Sequence, residues 1–208
     1  EMKSDFLQEL DKLIGEIDLM RIRFLNDREM NPLVFERQSQ QILGFYPSVH
    51  SINWISYVES KDLENWGTQI QSRMSAPRFS SSFSAQFEKS VSEIGSKSFL
   101  LPISIIANAK DDYGLAGVDV SNSHSMLLES AVTTGFPHLT THHSGKTKQV
   151  EMQVFYPVES TNYNHLSDTF ETGEFGLFHI ILHMDDFVGN FWRNGDPMGM
   201  SMQLIDKT

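Results

Sequence analysis

Phe99-Leu100-Leu101-Pro102-Ile103-Ser104-Ile105-Ile106 is the stretch on which the fold turns. It is apolar, holds three isoleucines, and has the length of a strand. It also marks a change of pattern. Upstream the apolar residues recur at helical spacing. Downstream they come in short runs separated by turn residues.

Working back from it, Phe6, Leu10, Leu13, Ile14, Ile17, Met20 and Phe24 recur mostly at steps of three and four. This predicts one long first helix, with Ser4 as its cap. About 25 residues at roughly 1.5 Å each make a rod of roughly 35 Å, which suits a stalk or an ordinary long core helix. Asn31-Pro32 supplies a second start signal, Asn as N-cap and Pro at the first helical position. That helix is expected to run to Leu43 and stop at Gly44. The run from His50 to Val58 reads as a strand. Residues 61–74 predict a helix with Leu63, Trp66, Ile70 and Met74 on one face. The Ser-rich stretch 75–84, with Pro77, reads as a loop.

Working forward, residues 115–120 read as a second short strand. A helix follows, with Ser123 as cap, Met126, Leu127 and Ala131 facing inward, and Gly135 ending it. Val150, Met152, Val154 and Tyr156 then alternate with Glu151, Gln153 and Phe155, which predicts a strand with one wet or ligand-facing side. Residues 174–184 read as another strand. Asp185 is expected to cap a short helix through Trp192, and Met200, Met202 and Leu204 alternate in a last strand. Helices first, then strands with inserted helices, predict an α+β fold with a mainly antiparallel sheet.

Composition excludes several functions. Sixteen Lys and Arg against 27 Asp and Glu give a net charge of −11, which repels phosphate backbones and anionic headgroups, so nucleic acid is not an expected partner. The absence of cysteine removes disulfides, thiolate metal sites and cysteine nucleophiles. No apolar run reaches the roughly 20 residues of a membrane span. Glu1 and the abrupt Asp206-Lys207-Thr208 read as cut ends, as for a piece excised between two membrane helices or for any other excised domain.

No enzyme signature stands out. His179 and His183 are four apart, but in a strand that separation is roughly 13 Å, too far for one metal ion. His142 and His143 point to opposite faces if extended; a pocket role and a solvated loop role both stay open. There is no Gly-x-Ser-x-Gly elbow, Gly-x-Gly-x-x-Gly or phosphate loop. Neither a metal nor a cofactor is expected. Asp119 is different: it lies between Val118 and Val120, where a carboxylate is costly to bury without partners. It is either a cap or surface position near the next helix, or an acceptor facing a pocket.

The order of features from Phe45 onward resembles the CHASE domain, the extracytoplasmic sensor of many histidine kinases and cyclases. Phe45-Tyr46-Pro47-Ser48-Val49-His50-Ser51-Ile52-Asn53-Trp54 is similar to the family's Pro-led stretch ending in Trp. Val58-Glu59-Ser60-Lys61-Asp62-Leu63-Glu64 resembles its Val followed by a charged helix start. Leu115-Ala116-Gly117-Val118-Asp119 matches its Gly-apolar-Asp signature, and Ala131-Val132-Thr133-Thr134-Gly135 its helix ending in Thr-Gly. Phe155-Tyr156-Pro157-Val158 resembles its aromatic-Pro-Val strand end. Residues 173–187 resemble its Gly-containing strand running into an Asp-led helix. The resemblance covers about residues 45–190. One departure is that residues 121–130 contain no Lys or Arg, where the family usually has a basic residue.

The resemblance implies a long N-terminal stalk helix followed by a PAS-like antiparallel sheet module that binds a small molecule. Residues 1–44 would be the stalk helix and the helix after it, 45–192 the sensing module, and 193–208 a terminal strand that could open a membrane-proximal module. In plant members the ligand is a cytokinin. By that resemblance Asp119 would meet the ligand's polar edge, Leu139 would offer backbone groups, and Met152 and Val154 would line the pocket. The expected whole is a membrane-anchored receptor, homodimeric through the first helix, sensing on the periplasmic or extracellular side. A different tandem-PAS-like sensor and, further off, a soluble enzyme with an unrecognised site are the alternatives.

Overall fold

The structure, a computed structural model, describes residues 2–27, 32–73, 77–95, 97–108, 114–121, 125–143, 150–158 and 176–186. Its centre is β7 (Gly176–His183), whose sequence GLFHIILH is buried along all but its last residue. A strand covered on both faces needs apolar side chains on both, and this one has them. It pairs antiparallel with β1 (Val49–Ser56) on one side and β6 (Val150–Val158) on the other. Beyond these lie β4 (Ile103–Asn108) and β5 (His138–His143). The sheet order is β4-β1-β7-β6-β5, antiparallel throughout. This is the expected α+β arrangement, with a long N-terminal helix ahead of the sheet.

That helix, α1 (Met2–Asp27), is continuous over 26 residues and takes in Ser4. Its Leu13, Ile17 and Met20 are buried in one cluster with Phe35, Ile42 and Leu43 of α2 (Pro32–Phe45) and with one face of the sheet. On that face stand Ile52, Trp54, Met152, Val154, Tyr156, Phe178 and Ile180. A polar tie reinforces the seam: the Tyr156 hydroxyl donates to Asp18 Oδ1 at 2.7 Å, and Arg21 Nε donates to the same oxygen at 2.9 Å. Tyr156 is pushed up to about 12 by burial and by this bond. The Asp18 carboxyl is held below its ordinary value mainly by the same bond. Leu19 and Ile22 of α1 stay outside this seam, 52% and 44% exposed.

The opposite face is covered by α3 (Leu63–Arg73), α4 (Pro77–Ser92) and α5 (Ser125–Thr134), around Ile55, Phe155 and Leu177. So β6 has no wet side: Phe155 is as buried as Val154, because helices cover both faces of the sheet. The Ser-rich stretch expected as a loop is largely α4. Its start is set by Pro77, and Phe79, Phe83, Phe87 and Val91 recur every four residues. Serine and proline hid that stripe. Phe83 and Phe87 stack at 5.2 Å, and both pack on Trp66 of α3.

Pro102 splits the run 99–106. Phe99–Leu100 forms β3 and pairs with β2 (Val58–Glu59) in a separate two-stranded sheet; only Ile103–Asn108 joins the main one. Residues 115–120 are a turn and a single bridge from Asp119 to Pro102 rather than a strand. In α5 the inward residues are Leu128 and Ala131, whereas Met126 is 82% exposed, on the far side of the helix. Gly135, with φ at +70°, ends the helix as expected. A helical turn begins at Met184, one residue before Asp185. Its continuation to Trp192, the strand near Met200 and the cap at Ser123 lie outside the described residues, as do the side chains of His142 and His143.

Candidate functional site

Two polar clusters are built into the second face and its surroundings. The first centres on Asp119. Gly117, with φ at +82°, presses its Cα against α4: a Cβ there would stand 2.5 Å from Phe83 O and 2.8 Å from Phe87 N. Only glycine fits such a contact. Ser90 of α4 then takes hold of the segment, donating to Gly117 O at 3.2 Å and accepting from Asp119 N at 3.2 Å. The Asp119 carboxylate receives Leu101 N at 2.9 Å and Ser121 N at 3.0 Å on Oδ1. On Oδ2 it receives Lys97 Nζ at 2.9 Å and the Ser121 hydroxyl at 2.7 Å. Two partners on each oxygen use its whole ordinary acceptor capacity. Burial opposes the charge, but these four bonds outweigh it and hold the carboxyl below its usual range.

The second cluster lies at the middle of the sheet. Antiparallel register sets Ile106, Asn53, His179, Phe155 and His138 in one row across β4, β1, β7, β6 and β5. The next row holds Asn108, Ser51, Ile181, Gln153 and Thr140. Asn53 Nδ2 lies 3.2 Å from Ser51 Oγ and 3.3 Å from His179 Nδ1, and His179 Nε2 lies 3.2 Å from Gln153 Oε1. The contacts read as one chain: the Asn53 amide donates to Ser51 and to Nδ1, and Nε2–H donates to Gln153. In the tautomer that fits this chain, His179 accepts on Nδ1 and donates from Nε2. Its ring stacks on Phe155 at 4.6 Å, nearly parallel. Asn53 is fully buried, yet its Oδ1 has no hydrogen-bond partner among the described residues.

The four residues expected to line a pocket fall in different places. Met152 and Val154 point into the cluster under α1 and α2. Leu139 pairs with Val154 on the edge strand β5 and is 43% exposed. Asp119 is bound into the α4 side of the fold, next to the cluster of the other face. Leu139, Met152 and Val154 are thus strand neighbours, and Asp119 is not with them. His179 and His183 have separate partners: His183 stacks on His50 at 4.3 Å and faces Glu151 and Asp186 at 3.9 and 3.6 Å. Sequence reasoning gave Asn53 no role and placed Gln153 only on the wet or ligand-facing side of its strand. The signal available was a polar residue at every second position of otherwise apolar strands, as in Ser51-Ile52-Asn53-Trp54 and Glu151-Met152-Gln153-Val154.

Residues 29–208 match the CHASE domain family. The chain belongs to that family. The match spans everything from α2 to β7, including both polar clusters, while α1 lies ahead of it and still shares the core. No curated protein matches the chain. CHASE domains are typically extracytoplasmic sensor domains of signalling receptors, not catalytic ones. In this CHASE domain the Gly-apolar-Asp signature has a mechanical reading: Gly117 lets the turn approach α4, and Asp119 ties Lys97, Leu101 and Ser121 together.

Proposed function

We propose that this CHASE domain is the small-molecule sensor, on the periplasmic or extracellular side, of a membrane-anchored receptor of the histidine kinase or cyclase type. The observation that carries the proposal is the family match across residues 29–208. Sensing asks for differential affinity between two conformations, not for a nucleophile or an acid–base pair. The polar rows on the sheet hold no carboxylate, lysine or arginine, and suit a bound small molecule better than they suit turnover.

Within this reading Asp119 meets a ligand by exchanging a present partner. Lys97, whose side chain is the more exposed of the ion pair, is the one to leave. Leu139 offers its backbone from β5, and Met152 and Val154 hold that strand pair from behind. The exposed Leu19 and Ile22 on α1 suit a twin helix in a homodimer. The test is a thermal-shift screen of small metabolites, followed by calorimetric titration with analysis of the recovered compound. Saturable binding with the compound recovered intact is expected. Chemical conversion of the compound would sink the sensor reading. A strict monomer at high concentration would remove the twin-helix proposal alone.

A further inference from the structure

The rim of the sheet where β7 ends gathers two histidines and two carboxylates that the sensor reading does not use. A bulge in β1 brings one of them in. Val49 pairs with Leu182 and Ser51 with Ile181, so His50 is an extra residue set against two consecutive partners on β7. A bulge re-aims a side chain. Here the His50 ring lies on the His183 ring, 4.3 Å away and 18° from parallel. The two nitrogens of His183 face one carboxylate each. Glu151 of β6, its cross-strand partner, brings Oε1 to 3.9 Å from Nε2. Asp186, in the helical turn after β7, brings Oδ2 to 3.6 Å from Nδ1. Asp185 beside it is exposed, and His142 of β5 stands opposite Glu151 in the register. Among the described residues no three such groups converge as metal ligands do.

We propose that His50, His183, Glu151 and Asp186 form a proton-responsive joint at the end of β7. A neutral imidazole carries one N–H, so it donates to one carboxylate and turns a lone pair to the other. Both contacts are longer than hydrogen bonds in the structure. A proton on His183 supplies the second N–H. Each carboxylate then has a donor, and the shorter distances of charge-assisted bonds draw β6 and the turn at residues 184–186 toward the ring. A second proton, on His50, sets a like charge against the first across the stack and drives the rings apart. That repulsion acts on the joined ends of β1 and β7, where His183 N donates to Ser48 O at 2.9 Å. Histidine is the side chain that changes charge between about pH 5 and pH 8. The His183 side chain is 14% exposed, so protons reach it without unfolding. The first proton tightens the joint and the second loosens it. The device requires no ligand and goes beyond the sensor reading.

The test is an NMR titration of the whole chain between about pH 8 and pH 5. It follows the ring signals of His50 and His183 and the backbone amides of Ser48 and Met184. Two coupled steps, each visible at both rings, are expected, with the amides moving at each step. His50→Phe keeps a ring in the stack and removes the second charge, so one step should remain at His183. Asp186→Ala, at an exposed position, should abolish the displacement of the Met184 amide in the first step; it tests that step even where the His50 variant does not fold. His142→Gln should leave both steps in place. Independent single steps at the two rings, unchanged by His50→Phe, overturn the coupled pair. A second step lost in His142→Gln and kept in His50→Phe assigns it to the wrong residue and overturns it too. Rings that titrate while the amides stay still overturn the joint.

Discussion

Asp119 and Asn53 are both polar residues set among apolar neighbours, and they differ in how completely they are satisfied. The Asp119 carboxylate has four donors on two oxygens, supplied by three residues. The Asn53 carboxamide has partners on its nitrogen only. A saturated buried group reports architecture: its bonds close the polypeptide on itself, and a ligand has to displace one of them. An unsaturated one reports an incomplete environment. A carboxylate in an apolar segment looks functional in sequence, while an asparagine in a strand attracts no notice. The hydrogen-bond geometry reverses that ranking for the state described here.

The comparison breaks most sharply at Gly117. Gly117→Ala puts a Cβ on the α4 backbone at a positive φ, so the clasp cannot seat. A loss of about 3–5 kcal/mol in chemical denaturation is expected, from strain and overlap together. A loss under about 1 kcal/mol would mean that the turn has room to shift and that the clasp is loose.

Asp119→Ala comes next. It removes all four bonds but lets Lys97, part exposed, turn to solvent, so a loss of about 2–3 kcal/mol is expected. Its pH dependence sharpens the point. A carboxyl whose folded value lies below the unfolded value of about 3.9 contributes stability above that pH. The contribution is lost as pH falls through the folded value. Wild type should therefore lose more stability than Asp119→Asn between about pH 5 and pH 2 in acid titrations followed by circular dichroism. Parallel curves would show that the carboxylate charge does not matter to the fold.

The smallest expected effect lies away from both clusters. Tyr156→Phe deletes the hydroxyl that donates to Asp18, leaving Asp18 with Arg21, and should cost about 1 kcal/mol. It calibrates what one ordinary seam bond is worth beside the clasp. A loss as large as that of Asp119→Ala would mean that the α1 seam, not the clasp, holds the polar balance of the fold.

Much of the fold was legible. The long first helix, α2, α3, the continuous β7 and the alternation of β6 all follow from apolar spacing, because each element buries a periodic stripe. α4 was not read, because four of its first eight residues, Ser80, Ser81, Ser82 and Ser84, are serine, a turn-former in isolation. Its stripe Phe83–Phe87 becomes decisive only when Trp66 is there to pack against. Pro102 was visible as a letter, but its effect was not: it breaks one apolar run into two strands of different sheets.

The sequence by itself determined the class of the molecule: α+β, acidic, without cysteine, with motifs of the CHASE family in order along the chain. Those properties are local, carried by composition, spacing and single residues. Tertiary structure alone decided which polar residues are spent and which are left over. Asp119 reaches Leu101 and Lys97, and Asn53 reaches His179, 126 positions away, only because strand register and the Gly117 turn bring them together. Hydrogen-bond satisfaction is a property of neighbours in space, and a linear reading has no access to it.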